Sequence, residues 1–120
     1  MPSLVQREHF AQTTGGLGLH ARVAAAFLRQ SGGWRDDFVL ACERHDAAAL
    51  KELLHKMKGS CHAVAAPVAA SAFQQAENDV AHVTPSAWQK QSTALLAMIV
   101  SIEAELSVLI DEASKLPPRR

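Results

Sequence analysis

The chain has 120 residues and zero formal net charge, with 12 Lys and Arg balanced by 12 Asp and Glu. At 48% hydrophobic and 20% charged residues it has a globular composition and is long enough for one domain with a modest core, which excludes a disordered chain. The balanced charge and the 5% aromatic content, with no Tyr, exclude the basic stripe and stacking platform that nucleic-acid binders use.

Taken in order, the sequence predicts five helices and no strand. Ser3 can cap a short helix over about 3–12, with Leu4, Val5 and Phe10 as its apolar residues. Thr13-Thr14-Gly15-Gly16 breaks it. These glycines follow a helix and no Gly-Lys-Ser/Thr comes after them, so they do not read as a phosphate-binding loop. A long helix is predicted over about 19–44, because Val23, Phe27, Trp34, Phe38 and Ala41 hold one phase. That phase survives Ser31-Gly32-Gly33, which implies one helix with a soft or bent centre, with two helices broken there as the alternative. His45-Asp46 ends it, and Asp46 caps the next helix, about 46–64. Pro67 occupies a first-turn position of a fourth helix, about 66–82, whose inner face is Ala69, Ala72, Phe73, Ala76 and Val80. Thr84-Pro85 opens the last helix, about 85–115, with Trp88, Leu95, Ile99, Ile102, Leu106, Leu109 and Ala113 on one stripe and 116–120 as a frayed tail. Such short connections make successive helices antiparallel. The predicted fold is all-α, an antiparallel four-helix bundle with a short extra N-terminal helix, in a single domain over 1–120.

The third helix carries the most informative stretch, Leu54-His55-Lys56-Met57-Lys58-Gly59-Ser60-Cys61. At about 100° per residue, Leu50, Leu53, Leu54, Met57, Cys61 and Val64 form a core stripe. His55 falls about 150° from its middle and should face water. Lys51 and Lys58 lie at i−4 and i+3 from it, where helix side chains meet. Gly59 costs about 1 kcal/mol relative to Ala in mid-helix. A glycine there could admit a packed helix, but its outward position favours something approaching His55 from outside. An exposed histidine flanked by lysines and a bare patch suits a group that receives a phosphoryl unit from a docked partner.

His55-Lys56-Met57-Lys58-Gly59-Ser60 resembles the His-x-x-Lys-Gly-Ser signature of histidine-phosphotransfer (HPt) domains, followed by a small residue, Cys61. Val64, Ala65-Ala66 and a helix running through Phe73 and Ala76 to Glu77 continue the likeness, so its detailed part covers about 55–77. The sequence departs from the family twice: Ala65 stands where Gly is usual, and Leu54 precedes the histidine where a smaller residue is common. The resemblance implies that His55 is phosphorylated by a receiver-domain aspartate and passes the group to another response-regulator receiver. It also implies that Lys58, Gly59, Lys51 and His62 serve phosphate stabilisation or docking, and that Glu77 or Gln74 contacts the imidazole. On this reading the isolated domain is not an enzyme: it has no ATP site, no small-molecule substrate and no cofactor of its own. Mg²⁺ comes with the receiver. The family commonly forms the last module of bacterial hybrid sensor histidine kinases or a free-standing shuttle.

Two other classes compete. One is a helical docking or adaptor module that carries no phosphate. The other is a metal-binding bundle using His55 and His62, which share a face; a zinc site needs further ligands, and none is readable. Ser60 has no readable Asp/His relay. Cys42 and Cys61 sit at core-like positions and read as buried, reduced thiols, without zinc spacing. No secretory segment opens the chain and no apolar run reaches about 18 residues. The expectation is a cytoplasmic protein without direct membrane contact, or the cytoplasmic C-terminal part of a membrane-bound sensor kinase.

Overall fold

The structure, a computed structural model, describes residues 3–13 and 19–114. Its regular elements are α1 (Arg7–Thr13), α2 (Leu19–Glu43), α3 (Ala47–Ala63), α4 (Pro67–Asp79) and α5 (Pro85–Ser114). The fold is all-α, and α2 to α5 form a four-helix bundle. α2 packs on α3 and α5, and α4 packs on α3 and α5, so that α3 and α5 stand on opposite corners. The break expected at residues 14–16 and the tail expected at 116–120 lie outside the described residues.

Apolar spacing accounts for the bundle. Phe27, Trp34, Phe38 and Ala41 of α2 are buried, as are Leu50, Leu54, Met57 and Cys61 of α3. Ala69, Ala70, Phe73 and Ala76 face them from α4, and Leu95, Ile99, Ile102, Leu106 and Leu109 from α5. The small residues of α4 let it lie close against α3. Phe27 and Trp34 meet edge to face with centroids 5.2 Å apart, the arrangement that aromatic quadrupoles favour.

α2 runs unbroken through Ser31-Gly32-Gly33, which removes the alternative of two helices. One polar contact anchors this stretch: buried Ser31 donates its hydroxyl to Glu103 Oε2 of α5 at 2.6 Å. The Arg35 guanidinium neutralises the same carboxylate, with Nε 3.1 Å from Oε1. A buried hydroxyl and a mostly buried carboxylate are thus partnered at the α2–α5 seam, as burial demands.

The first helix starts later than its apolar residues suggest. Ser3 does not cap it. Leu4 and Val5 form a bent, non-helical lead whose backbone N–H groups donate to the Glu105 carboxylate at 3.0 and 3.3 Å. Gln6 donates its N–H to the Ala65 carbonyl at 2.8 Å, and its own carbonyl accepts from Phe10. These tertiary bonds compete with the first helical turn and win it, so α1 begins at Arg7.

The two hairpin ends share one device. At the end of α3, the Ala65 N–H donates to the His62 carbonyl and the Ala66 N–H to the Cys61 carbonyl, at 3.1 and 2.9 Å. At the end of α2, His45 donates to Cys42 and Asp46 to Ala41, at 3.2 and 3.0 Å. Both are Schellman closures, which require a left-handed residue just past the helix. Here that residue is Ala65, at φ 55°, and His45, at φ 52°. Each Cβ carries a cost of about 1–2 kcal/mol that glycine would avoid. After allowance for the larger unfolded-state entropy of glycine, Ala65→Gly is expected to stabilise the fold by about 1 kcal/mol. Thermal unfolding should rise by about 4 °C, and an unchanged or lower midpoint would contradict this account of the turn.

The remaining caps follow the sequence. The Ala49 N–H donates to Asp46 Oδ1 at 3.0 Å, Pro67 opens α4, and Ala87 donates to Thr84 Oγ1 at 3.2 Å. Both cysteines are free thiols, but only Cys61 is buried, and Cys42 is half exposed. Burial pushes the Cys61 thiol up to about 12, which leaves it inert as a nucleophile. Partial burial also raises Cys42.

Composition alone understates α5. Although charges interrupt its apolar runs, it is long and apolar enough to cross a membrane, with a window of mean hydropathy 2.0. Core helices of soluble proteins pass the same test.

Candidate functional site

The outer face of α3 carries the site. The same phase that buries Leu54 and Met57 turns His55 outward, and its side chain is 68% exposed. Its Nδ1 lies 3.2 Å from Oε1 of Glu77, which reaches across from α4. A carboxylate accepts only, so Nδ1 carries the hydrogen, and Nε2 is the ring nitrogen turned away from Glu77. Glu77 itself is well covered, at 16% exposure. The imidazole therefore projects from a rigid helix and is held at its rear by a carboxylate fixed on a second one.

Lys58, one turn along α3, bends back towards α4. Its Nζ donates to Gln74 Oε1 at 2.6 Å and lies 3.8 Å from Glu77 Oε1. Gln74 in turn donates to Asn78 Oδ1 at 3.0 Å. Of the two residues expected near the imidazole, Glu77 makes the contact. Gln74 serves Lys58 instead, because a glutamine one turn earlier on α4 comes level with Lys58. Sequence spacing did not single out Asn78, which lies one further turn along α4 and fixes the Gln74 amide.

The other expected residues lie where helical phase puts them. Lys51 is exposed one turn before His55. Gly59 is exposed too, and a Cβ built on it would meet nothing within 4 Å. No helix presses on it, so close packing does not account for this glycine. His62 is exposed two turns further on. It lines a small pocket with His9, Gln6 and Pro67, and so belongs to the end of the bundle rather than to the ground around His55. Among the described residues no group of three or more His, Cys, Asp or Glu could hold a metal ion, and the His55–His62 pairing gains no further ligand.

On the side away from Glu77 a groove of about 620 Å³ opens between α2 and α3, and His55 forms part of its wall. Leu40, Ala41, Ala49 and Leu53 supply apolar lining, while Asp37, Glu52, Arg44 and Lys56 supply charge. Sequence reading passed over this feature. Its signal was Leu40, a large apolar residue off the core stripe of α2 and 42% exposed.

A helical bundle that presents a histidine to solvent, braced from behind by a carboxylate, has the form of a carrier of a small transferable group. The Hpt domain family matches the chain over residues 22–112, and the chain belongs to that family. Hpt domains are phosphotransfer modules of phosphorelays and interact with response-regulator receiver domains. No curated protein and no solved structure matches the chain significantly.

Proposed function

We propose that His55 is the phosphoryl carrier of this domain, taking the group from the phospho-aspartate of one receiver and handing it to the aspartate of another. The observation that supports this reading is the His55–Glu77 pair: Nδ1 held at 3.2 Å by a fixed carboxylate, Nε2 turned away from it. The Nε2 lone pair attacks phosphorus, the P–O bond to the aspartyl carboxylate breaks, and that carboxylate leaves with the electron pair. The product carries phosphate on Nε2 and hydrogen on Nδ1, which places positive charge on the ring. Glu77 then faces a cation rather than a neutral donor, and the hydrogen bond becomes charge-assisted. Onward transfer reverses these steps at a second receiver.

Phosphoryl transfer depends mainly on positioning and on stabilising charge over the equatorial oxygens. Lys51, Lys56 and Lys58 place positive charge around the imidazole and favour the approach of a phosphorylated partner. Lys58 is held by Gln74 and Glu77 in the resting domain and is within reach to turn towards the phosphate. On this reading Mg²⁺ comes with the receiver. The groove beside His55 supplies an apolar seat for the partner, and the Gly59 surface leaves the other flank open. We take the domain to be a carrier without kinase activity of its own, working in the cytoplasm on its own or at the end of a hybrid sensor kinase.

Incubation with a phosphorylated receiver and Mg²⁺, followed by a search for acid-labile, base-stable phosphate on the domain, tests the reading. Absence of label from any of several receivers would favour a docking module that carries no phosphate. Gly59→Leu probes the approach surface. It should slow transfer at least tenfold, about 1.4 kcal/mol, with no loss of helicity by circular dichroism. Unchanged kinetics would remove the bare patch from the mechanism.

A further inference from the structure

We infer that the outer face of α5 is an interface between two copies of this chain, paired antiparallel about a twofold axis between Val100 and Ser101. The most apolar helix of the bundle is also poorly covered. Only 28% of its most hydropathic window is buried, and Val100 and Val108 are each 53% exposed. Between Lys90 and Asp111 the exposed positions of α5 carry no charge. The two glutamates in that span are partly buried and engaged elsewhere, Glu103 with Ser31 and Arg35, and Glu105 with the backbone of Leu4 and Val5. The uncharged face repeats as Ala94, Ala97, Ser101, Ala104 and Val108, in alternating steps of three and four. That is the heptad spacing of a helix seam.

The face is complementary to itself when reversed. In an antiparallel pair centred between Val100 and Ser101, Ala97 of one copy lies opposite Ala104 of the other. Ala94 lies opposite Ser107, Val100 lies opposite Ser101, and Lys90 meets the acidic end at Asp111. Each such pair is equidistant from the centre, so charge and apolar surface match in the antiparallel register. A parallel pair would set Lys90 against Lys90. A bilayer is a poorer occupant, because the face lacks the bulky anchors and basic flank of an interfacial helix and is acidic at one end. One seam between helices in contact over about 30 Å lies near the about 1,000 Å² lower bound for a specific interface, so the dimer is weak and concentration-dependent. α3 stands on the corner opposite α5, so the two His55 faces point away from each other and both remain accessible. The inference does not depend on the proposed carrier role.

Sedimentation equilibrium of the whole chain, from low micromolar to near-millimolar concentration, tests it. The wild type should rise from monomer mass towards twice that mass. Ala97→Glu and Ala104→Lys should each weaken self-association at least tenfold while keeping the circular dichroism spectrum. Mixed together they should recover association, because position 97 faces position 104. A wild type that stays monomeric throughout would overturn the inference, and so would association unchanged in both variants. Recovery failing in the mixture would overturn the antiparallel register. Co-sedimentation of the monomer with phosphatidylcholine–phosphatidylglycerol vesicles, lost in Ala97→Glu, would assign the face to lipid and overturn the dimer.

Discussion

His55→Gln is expected to abolish phosphoryl acceptance outright while leaving the bundle intact. Glutamine is close to histidine in length and can still donate a hydrogen bond to Glu77, so the rear of the site stays partnered. It has no lone pair at the position of Nε2 that can form a stable bond to phosphorus. The replaced side chain is 68% exposed on the outer face of α3. Stability should change by no more than about 0.5 kcal/mol, the usual range for a surface change. The pair of measurements is radiolabel transfer from a phosphorylated receiver and thermal unfolding by circular dichroism. Label retained by the variant would mean that another histidine carries the group. Loss of the fold would contradict the solvent-facing placement.

The neighbouring position should behave in the opposite way. Leu54→Ala removes a side chain with no solvent exposure from the centre of α3. A buried leucine truncated to alanine costs about 3–5 kcal/mol, the larger values where the cavity cannot close. Here α3 is fixed at its N-terminus by the Asp46 cap and at its C-terminus by the Ala65 turn, so little collapse is available. A loss of about 3 kcal/mol is a large part of the stability of a small domain and should lower the unfolding midpoint by about 10 °C. At a temperature where the variant remains folded, phosphoryl acceptance should continue, because Leu54 points away from the imidazole. Full thermal stability in this variant would mean that the core stripe of α3 is misplaced.

These adjacent residues show how far the sequence could be read. Phase at 100° per residue separates His55 from Leu54, and the phase of each helix was visible because the apolar residues repeat cleanly and no strand pattern competes. The caps at Asp46 and Thr84 were legible because side chains that accept hydrogen bonds announce helix starts. The start of α1 was not, because its lead is held by Glu105 and Ala65, about 100 and 60 residues away in sequence, and local propensity contains no trace of such partners. The left-handed turns were half legible. The shift from Gly to Ala65 was noted as a departure, yet nothing local said that the backbone would keep the glycine conformation. Glu77 against Gln74 was undecided on spacing alone, since a carboxylate and an amide one turn apart can each reach across a hairpin. The groove between α2 and α3 was missed because it depends on how two helices splay, not on either one.

The placement of His55 has a kinetic consequence. The ring stands on the outer face of α3, backed by Glu77, and one flank leads into a single groove. Two receivers cannot occupy that ground together, so on the proposed role the donor must depart before the recipient can arrive. The relay would then follow a ping-pong scheme, in which surplus donor in its unphosphorylated form blocks the outgoing half-reaction. Flux through the carrier would peak at an intermediate partner ratio, making the relative abundance of the two receivers a control on signal throughput without any conformational switch in the domain itself.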